Sequence, residues 1–168
     1  SIGDITDSET DPLTGAIVRA AGTERIEQIL KSDPEAGSVH AFMIADLDNF
    51  KNLNDRLGHM WGDHALHDVV KIIRDNCRAQ DVICRLGGDE FVVFFRDIPL
   101  DVLQERVKLL SEQLHITYEN EGETVTISVS MGIALTEKGK VTFQELYKRA
   151  DKGLYEVKRT KKGTWHIV

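Results

Sequence analysis

V-I-C-R-L-G-G-D-E-F-V-V-F-F, residues 82–95, is the stretch whose reading decides the fold. Residues 82–86 and 91–95 are two short apolar runs rich in β-branched and aromatic side chains, the length and composition of strands. Gly87-Gly88-Asp89-Glu90 joins them, and paired glycines supply the positive φ angles that a tight hairpin needs. The stretch therefore predicts a β-hairpin with two acids at its tip, and a sheet that contains it is not purely parallel.

Working outward toward the N-terminus, Leu66, Val69, Val70, Ile73 and Cys77 recur at three- and four-residue steps. That stripe predicts an amphipathic helix over residues 60–78. Residues 39–45 are apolar and strand-forming and run into Asp46-Leu47-Asp48, a buried strand with carboxylates at its end. A first helix is expected over residues 16–30, closed by Lys31-Ser32-Asp33-Pro34 because proline cannot continue a helix.

Toward the C-terminus, Leu103, Val107, Leu110 and Leu114 mark another helix, and residues 124–130 alternate as a strand does before Met131-Gly132-Ile133-Ala134. Phe143, Leu146, Ala150, Leu154 and Val157 share one face of a last helix, and residues 165–168 add an edge strand. Helices interleave with strands around a central hairpin. The expected fold is an α/β sandwich, a mixed sheet flanked by helices.

With 168 residues, of which 41% are hydrophobic and 29% charged, the chain suits one globular domain rather than a disordered segment. No apolar run approaches the ~18 residues of a membrane span, and the acidic start lacks the features of a secretory signal. The expectation is a cytoplasmic domain that makes no membrane contact itself. Cys77 and Cys84 fall in no Cys/His cluster, so they read as reduced core residues and a zinc site is not expected. A net charge of −7 argues against a binder of nucleic acid polymers. Any bound phosphate must be held locally, by a metal or by the basic cluster Lys158, Arg159, Lys161 and Lys162.

Asp46 and Asp48 lie two apart, so a strand aims both the same way, and Asp89 and Glu90 sit at the hairpin tip. If the two strands are neighbours these acids converge, and oxygen ligands of this kind suit Mg²⁺ together with substrate phosphates. By residue type alone, either cluster reads better as solvated loop-end acids.

The residues together resemble a family. R-L-G-G-D-E-F at 85–91 resembles the hallmark of the GGDEF domain of diguanylate cyclases. D-P-L-T-G at 11–15 resembles its opening motif, and A-D-L-D-N-F-K-N-L-N-D-R-L-G-H-M-W-G-D at 45–63 its metal and guanine segment. S-V-S-M-G-I-A at 128–134 and A-D-K-G-L-Y-E-V-K at 150–158 are similar to two more, in the family's order. The resemblance covers residues 11–168. It leaves 1–10 as a linker from an expected upstream domain, through which the full-length protein would be tethered if it is membrane-bound.

The resemblance implies a polymerase-palm-like fold and an enzyme that condenses two GTP into cyclic di-GMP and pyrophosphate, one GTP per subunit of a homodimer. It places two Mg²⁺, with Mn²⁺ as a substitute, on Asp46, Asp89 and the carbonyl of Leu47. Asp89 or Glu90 is the acceptor of the 3′-hydroxyl proton. Guanine would be read by Asn54 and Asp63, with His59 in the same substrate site. By itself, a histidine in a Gly-His turn reads equally as a structural residue.

Lys158 matches the family's phosphate-binding lysine. Lys162 stands where arginine is usual, which keeps the charge but loses the bidentate fork. Val18 departs from an asparagine often seen in the opening motif. Arg78 and Asp81 match the R-x-x-D product-inhibition site for cyclic di-GMP, to which Arg106 or Lys108 would lend a further cation; as residues alone they form an i, i+3 surface pair. Two other readings stand beside the cyclase. One is a catalytically silent module that senses cyclic di-GMP or GTP, which has no use for intact acids at 46, 89 and 90. The other is a cyclase of altered base choice.

Overall fold

A computed structural model describes residues 3–138 and 140–168. Among them, seven strands form one sheet and five helices cover it. In chain order these are β1 (Ile17–Val18), α1 (Arg19–Ile29), β2 (Val39–Asp48), α2 (Phe50–Leu57), α3 (His59–Asp75) and β3 (Val82–Gly87). β4 (Glu90–Ile98), α4 (Leu100–Gln113), β5 (His115–Asn120), β6 (Glu123–Thr136), α5 (Phe143–Thr160) and β7 (Trp165–Ile167) follow.

The strand order is β1-β3-β4-β2-β6-β5, with β7 also on β6. β1–β3 and β6–β7 pair in parallel and the others antiparallel, so the sheet is mixed as expected. β3 and β4 are the expected hairpin, and β4 lies beside β2, which carries the other acids.

The period of two divides the core. Met43, Ala45 and Leu47 of β2, with Phe91, Val93 and Phe95 of β4, join Leu66, Val69, Val70 and Ile73 of α3 and Leu103, Val107 and Leu110 of α4 on one face. Phe42 and Ile44, with Val92 and Phe94, join Ile26 and Ile29 of α1 and Phe143, Leu146, Ala150 and Leu154 of α5 on the other. β2 and β4 are therefore apolar on both faces, as continuously hydrophobic strands must be when covered on each side.

α5 is capped by Thr142, whose hydroxyl accepts from the Glu145 amide at 3.1 Å and satisfies one of the helix's free donors. It then lies hard against β6: a Cβ on Gly132 would stand 2.2 Å from the Ala150 carbonyl oxygen and 2.3 Å from the Leu154 nitrogen.

Several elements differ from expectation. The first helix begins at Arg19 and not at residue 16, because Ile17 and Val18 pair with Cys84 and Arg85 as an edge strand. The strand expected over 39–45 runs on to Asp48, so its acids lie within it, paired on both sides. The helix expected over 60–78 is α3, which stops at Asp75, and Arg78 lies in the turn beyond it. α2 and β5 have no counterpart among the elements the apolar spacing predicts. β6 is a single strand of 14 residues, longer than the alternation over 124–130 predicts. Cys84 is buried and Cys77 partly buried, both free, and burial pushes their thiols up to about 11 and about 12.

Candidate active site

Three acids, Asp46, Asp89 and Glu90, meet at one end of β2 and β4. Asp46 stands opposite Glu90 in the register of these strands, and the Leu47 amide donates to the Asp89 carbonyl at 3.2 Å. The turn that holds Asp89 needs Gly88 at φ +48°, a conformation glycine adopts without steric cost. Arg85 braces it, donating from Nε and Nη2 to the Gly88 carbonyl (3.1 and 2.7 Å) and from Nη1 to the Asp11 carboxylate (2.9 Å). The opening D-P-L-T-G segment thus supports the hairpin tip.

Negative charge is crowded here. Desolvation, then the charge of Asp46, holds the Asp89 carboxyl above its ordinary range. Glu90 is also raised, by desolvation and by Asp46 and Asp151, against a lowering hydrogen bond from Tyr147. That bond, from the phenol hydroxyl to Glu90 Oε1, measures 3.1 Å. Lys158 reaches from α5 to bond the Asp46 carboxylate. Desolvation alone would lower its ammonium, but the bond and charge of Asp46 leave it raised overall. A site that draws an ammonium onto one carboxylate and raises two others has excess negative charge to offer a cation.

Asp46 and Asp48 do point to the same face, but to different ends. Asp48 is 7% exposed; it accepts from Ser128 Oγ at 2.7 Å and from Ser130 Oγ at 2.8–2.9 Å. Bonded to both serines, it is tied to β6 rather than to the acids of the hairpin tip. Among the described residues no three His, Cys, Asp or Glu side chains form a ready cage. Asp46, Asp89 and the Leu47 carbonyl are an all-oxygen set that fits Mg²⁺ completed by substrate phosphates.

The chain leaves β2 through Asn49, at φ +69°, into α2, and Gly58, at φ +105°, separates α2 from α3. This bend packs Asn54 against Gly62, where a Cβ would fall 1.8 Å from Asn54 Oδ1. That oxygen is buried and has no hydrogen-bond partner. An unmet buried acceptor costs roughly 1–3 kcal/mol, so this one is suited to a ligand's donor. Asp63 follows Gly62 and is exposed in the first turns of α3, as is His59.

Lys162, exposed, follows the end of α5, and Lys158 sits one turn earlier. At the far end of the sheet, Arg78 and Asp81 satisfy each other. Arg78 Nη2 donates to Asp81 Oδ1 at 3.0 Å and to the Arg96 carbonyl, and Nη1 donates to the Asp97 carbonyl at 3.1 Å. The Asp81 carboxylate, wholly buried, also accepts from the Arg78 and Arg96 amides at 2.7 and 3.1 Å. The pair is a built-in brace between the α3–β3 turn and β4, with the Arg78 side chain still 32% exposed. Arg106 lies on α4 with Nη1 buried and unpartnered.

Tyr147, Arg85 and the two serines escaped the sequence reading. Arg85 was visible as the first letter of R-L-G-G-D-E-F; Tyr147 and the serines act through contacts that no local pattern announces.

Comparison with known proteins bears on the fold and the family. The family model described as the diguanylate cyclase GGDEF domain matches residues 8–164. The response regulator PleD of Caulobacter vibrioides is 34% identical over 152 residues, 89% of this chain and 34% of that protein. The diguanylate cyclase DgcP of Pseudomonas aeruginosa is 35% identical over 89% of the chain and 22% of its own length. The chain thus spans about a third or less of these two relatives. Among solved structures, the GGDEF domain of DgcB from Caulobacter crescentus in complex with c-di-GMP matches with TM-score 0.85 and 25% identity, covering 99% of this chain and 97% of that one. The GGDEF domain of PA1120 from Pseudomonas aeruginosa matches with TM-score 0.83 and 32% identity, over 94% and 93%. The family model covers most of the chain and the solved relatives share its fold: the chain belongs to the diguanylate cyclase GGDEF-domain family.

Proposed function

We propose that this domain condenses two GTP molecules into cyclic di-GMP and pyrophosphate. The observation that carries the reading is the convergence of Asp46, Asp89 and Glu90, from two strands, within reach of Lys158. Asn54, with its unmet buried oxygen, and Asp63 accept from the N1 and N2 donors of guanine, which adenine lacks. The 3′-hydroxyl of one GTP attacks the α-phosphate of the other. Its proton passes to Asp89 or Glu90, and a P–O bond to pyrophosphate breaks as the new one forms.

Lys158 and Lys162 offset charge on the departing pyrophosphate. Asp46, Asp89 and the Leu47 carbonyl would hold two Mg²⁺, or Mn²⁺, which when bound neutralise the triphosphate and lower the pKa of the attacking hydroxyl. Each chain presents one such site, so closing the second phosphodiester requires a homodimer with two sites face to face. Cyclic di-GMP also acts on the enzyme, at Arg78 and Asp81, as an inhibitor.

Incubating the protein at high concentration with GTP and MgCl₂ and separating the products by chromatography tests the reading. Cyclic di-GMP should form, and a folded Asp89→Ala variant should form none. A silent sensor would bind nucleotide without product, and product from Asp89→Ala at near the original rate would overturn the catalytic assignment.

A further inference from the structure

Asp48 is left over from the chemistry above. It lies in the acid-bearing strand end, nearly buried and bonded to none of the other acids, and a carboxylate placed so is costly unless hydrogen bonds compensate it. Its partners indicate the use. Ser130 Oγ, fully buried, donates to Asp48 and accepts from the Gly163 amide at 3.0 Å. The Gly163 carbonyl accepts from Ser111 Oγ at 3.1 Å, and the next carbonyl, of Thr164, from the Met131 amide at 3.0 Å.

Gly163 takes φ +80° and leaves no room for a side chain, since a Cβ would stand 2.9–3.1 Å from His115 and Ser128. On its other side the Lys161 amide closes α5 by donating to the Val157 carbonyl at 2.9 Å. Lys162 is therefore held between two pinned residues, at the end of a chain of contacts that begins at the Asp48 carboxylate.

We infer that Asp48 is a positioning residue: acting through Ser130 and Gly163, it fixes the turn after α5 so that Lys162 meets the phosphates of the nucleotide. The assignment rests on the cyclase reading for the identity of the nucleotide. A hydroxyl that must accept from Gly163 is obliged to donate elsewhere, and a buried carboxylate bonding both serines orients it that way. The charge of Asp48 alone would have the opposite effect, because a carboxylate two residues from Asp46 repels a triphosphate. The two roles thus differ in sign.

The test is calorimetric titration with inorganic pyrophosphate in MgCl₂, and with guanosine as a probe without phosphate. Asp48→Asn should weaken pyrophosphate by roughly tenfold, the scale on which a supporting partner acts, and leave guanosine unchanged. In a Lys162→Ala background the same substitution should change pyrophosphate affinity less than about twofold, because the side chain it positions is gone. Ser130→Ala, which cuts the link to Gly163 and keeps the carboxylate, should act in the same direction and carries the test if Asp48→Asn does not melt cooperatively.

Pyrophosphate bound equally or more tightly by the variant overturns the inference. So does an equal loss of guanosine, an undiminished loss in the Lys162→Ala background, or a parent protein that binds no pyrophosphate. None of these readouts needs turnover, so failure to form cyclic di-GMP from GTP would count against the cyclase reading separately.

Discussion

Replacing Gly132 by alanine sets two effects of opposite sign against each other. Glycine inside a strand is unfavourable relative to alanine by roughly 0.5–1 kcal/mol, so propensity alone predicts a gain. Packing predicts a loss: the new Cβ would meet the Ala150 oxygen at 2.2 Å, the Leu154 nitrogen at 2.3 Å and the Leu154 Cα at 2.9 Å, all backbone. No rotamer relieves such a contact, and restoring an ordinary separation of 3.4 Å requires α5 to move off the sheet by about 1 Å, against the packing density of a protein core. Overpacking of this kind costs about 1–3 kcal/mol or more. The loss prevails, and for a domain of this size it corresponds to a fall in Tm of roughly 2–12 °C. α5 carries both Tyr147 and Lys158, bonded to Glu90 and Asp46, so its displacement also disturbs the acid cluster. Misplacement by about 1 Å can cost ~10²-fold in rate. Thermal unfolding by circular dichroism and cyclic di-GMP formation by chromatography should fall together. A Gly132→Ala protein with unchanged Tm and rate would refute the close approach of α5 and the dependence of the site on it.

Asp63→Ser replaces a charged acceptor of guanine's two donors by a single hydroxyl, so the preference for GTP over ATP, compared as kcat/KM, should shrink by about tenfold or more; equal use of both by the parent protein would refute the assignment. Arg78→Ala should weaken cyclic di-GMP in calorimetry and relieve product inhibition, and it should also lower stability by about 3–5 kcal/mol because it leaves the buried Asp81 carboxylate without its cation; unchanged affinity in the variant returns the pair to a purely structural brace. His40 is 2% exposed and accepts the Asp97 amide on Nδ1. Burial lowers its pKa, against a raising pull from Asp97. Its contribution is therefore intact above the ordinary histidine value of about 6.5 and is lost as pH falls below it toward the lowered folded value, with a slope of up to ~1.4 kcal/mol per pH unit. Urea unfolding from pH 7 to pH 5 should show this slope in the parent and lack it in His40→Gln.

Much of the fold was legible wherever apolar spacing was long and regular. The hairpin, α4 and α5 bury the side chains their periods single out. α2 was not legible, because F-K-N-L-N-D-R-L is short and polar and buries only Leu53 and Leu57; a helix of eight residues depends on its tertiary contacts to form. β5 has the same difficulty, with half of H-I-T-Y-E-N exposed and only Tyr118 buried along the sheet edge. Ile17 and Val18 follow directly into helical sequence and become a strand only because β3 offers them an edge.

For the site, sequence by itself determined which residue types are present, their order, and the direction in which a strand or turn aims them. Asp46 and Asp48 point to one face for that reason, and Asp89 stands on a turn that glycine permits. What each of those oxygens meets was decided by tertiary structure alone. Asp46 finds Lys158 112 positions away, Asp48 finds Ser128 80 positions away, and Glu90 finds Tyr147 57 positions away. Backbone periodicity acts over a few residues, whereas a carboxylate's freedom to bind a cation depends on which donors the sheet and α5 bring within about 3 Å of it. Two aspartates in one motif, alike in type and direction, therefore end in different roles.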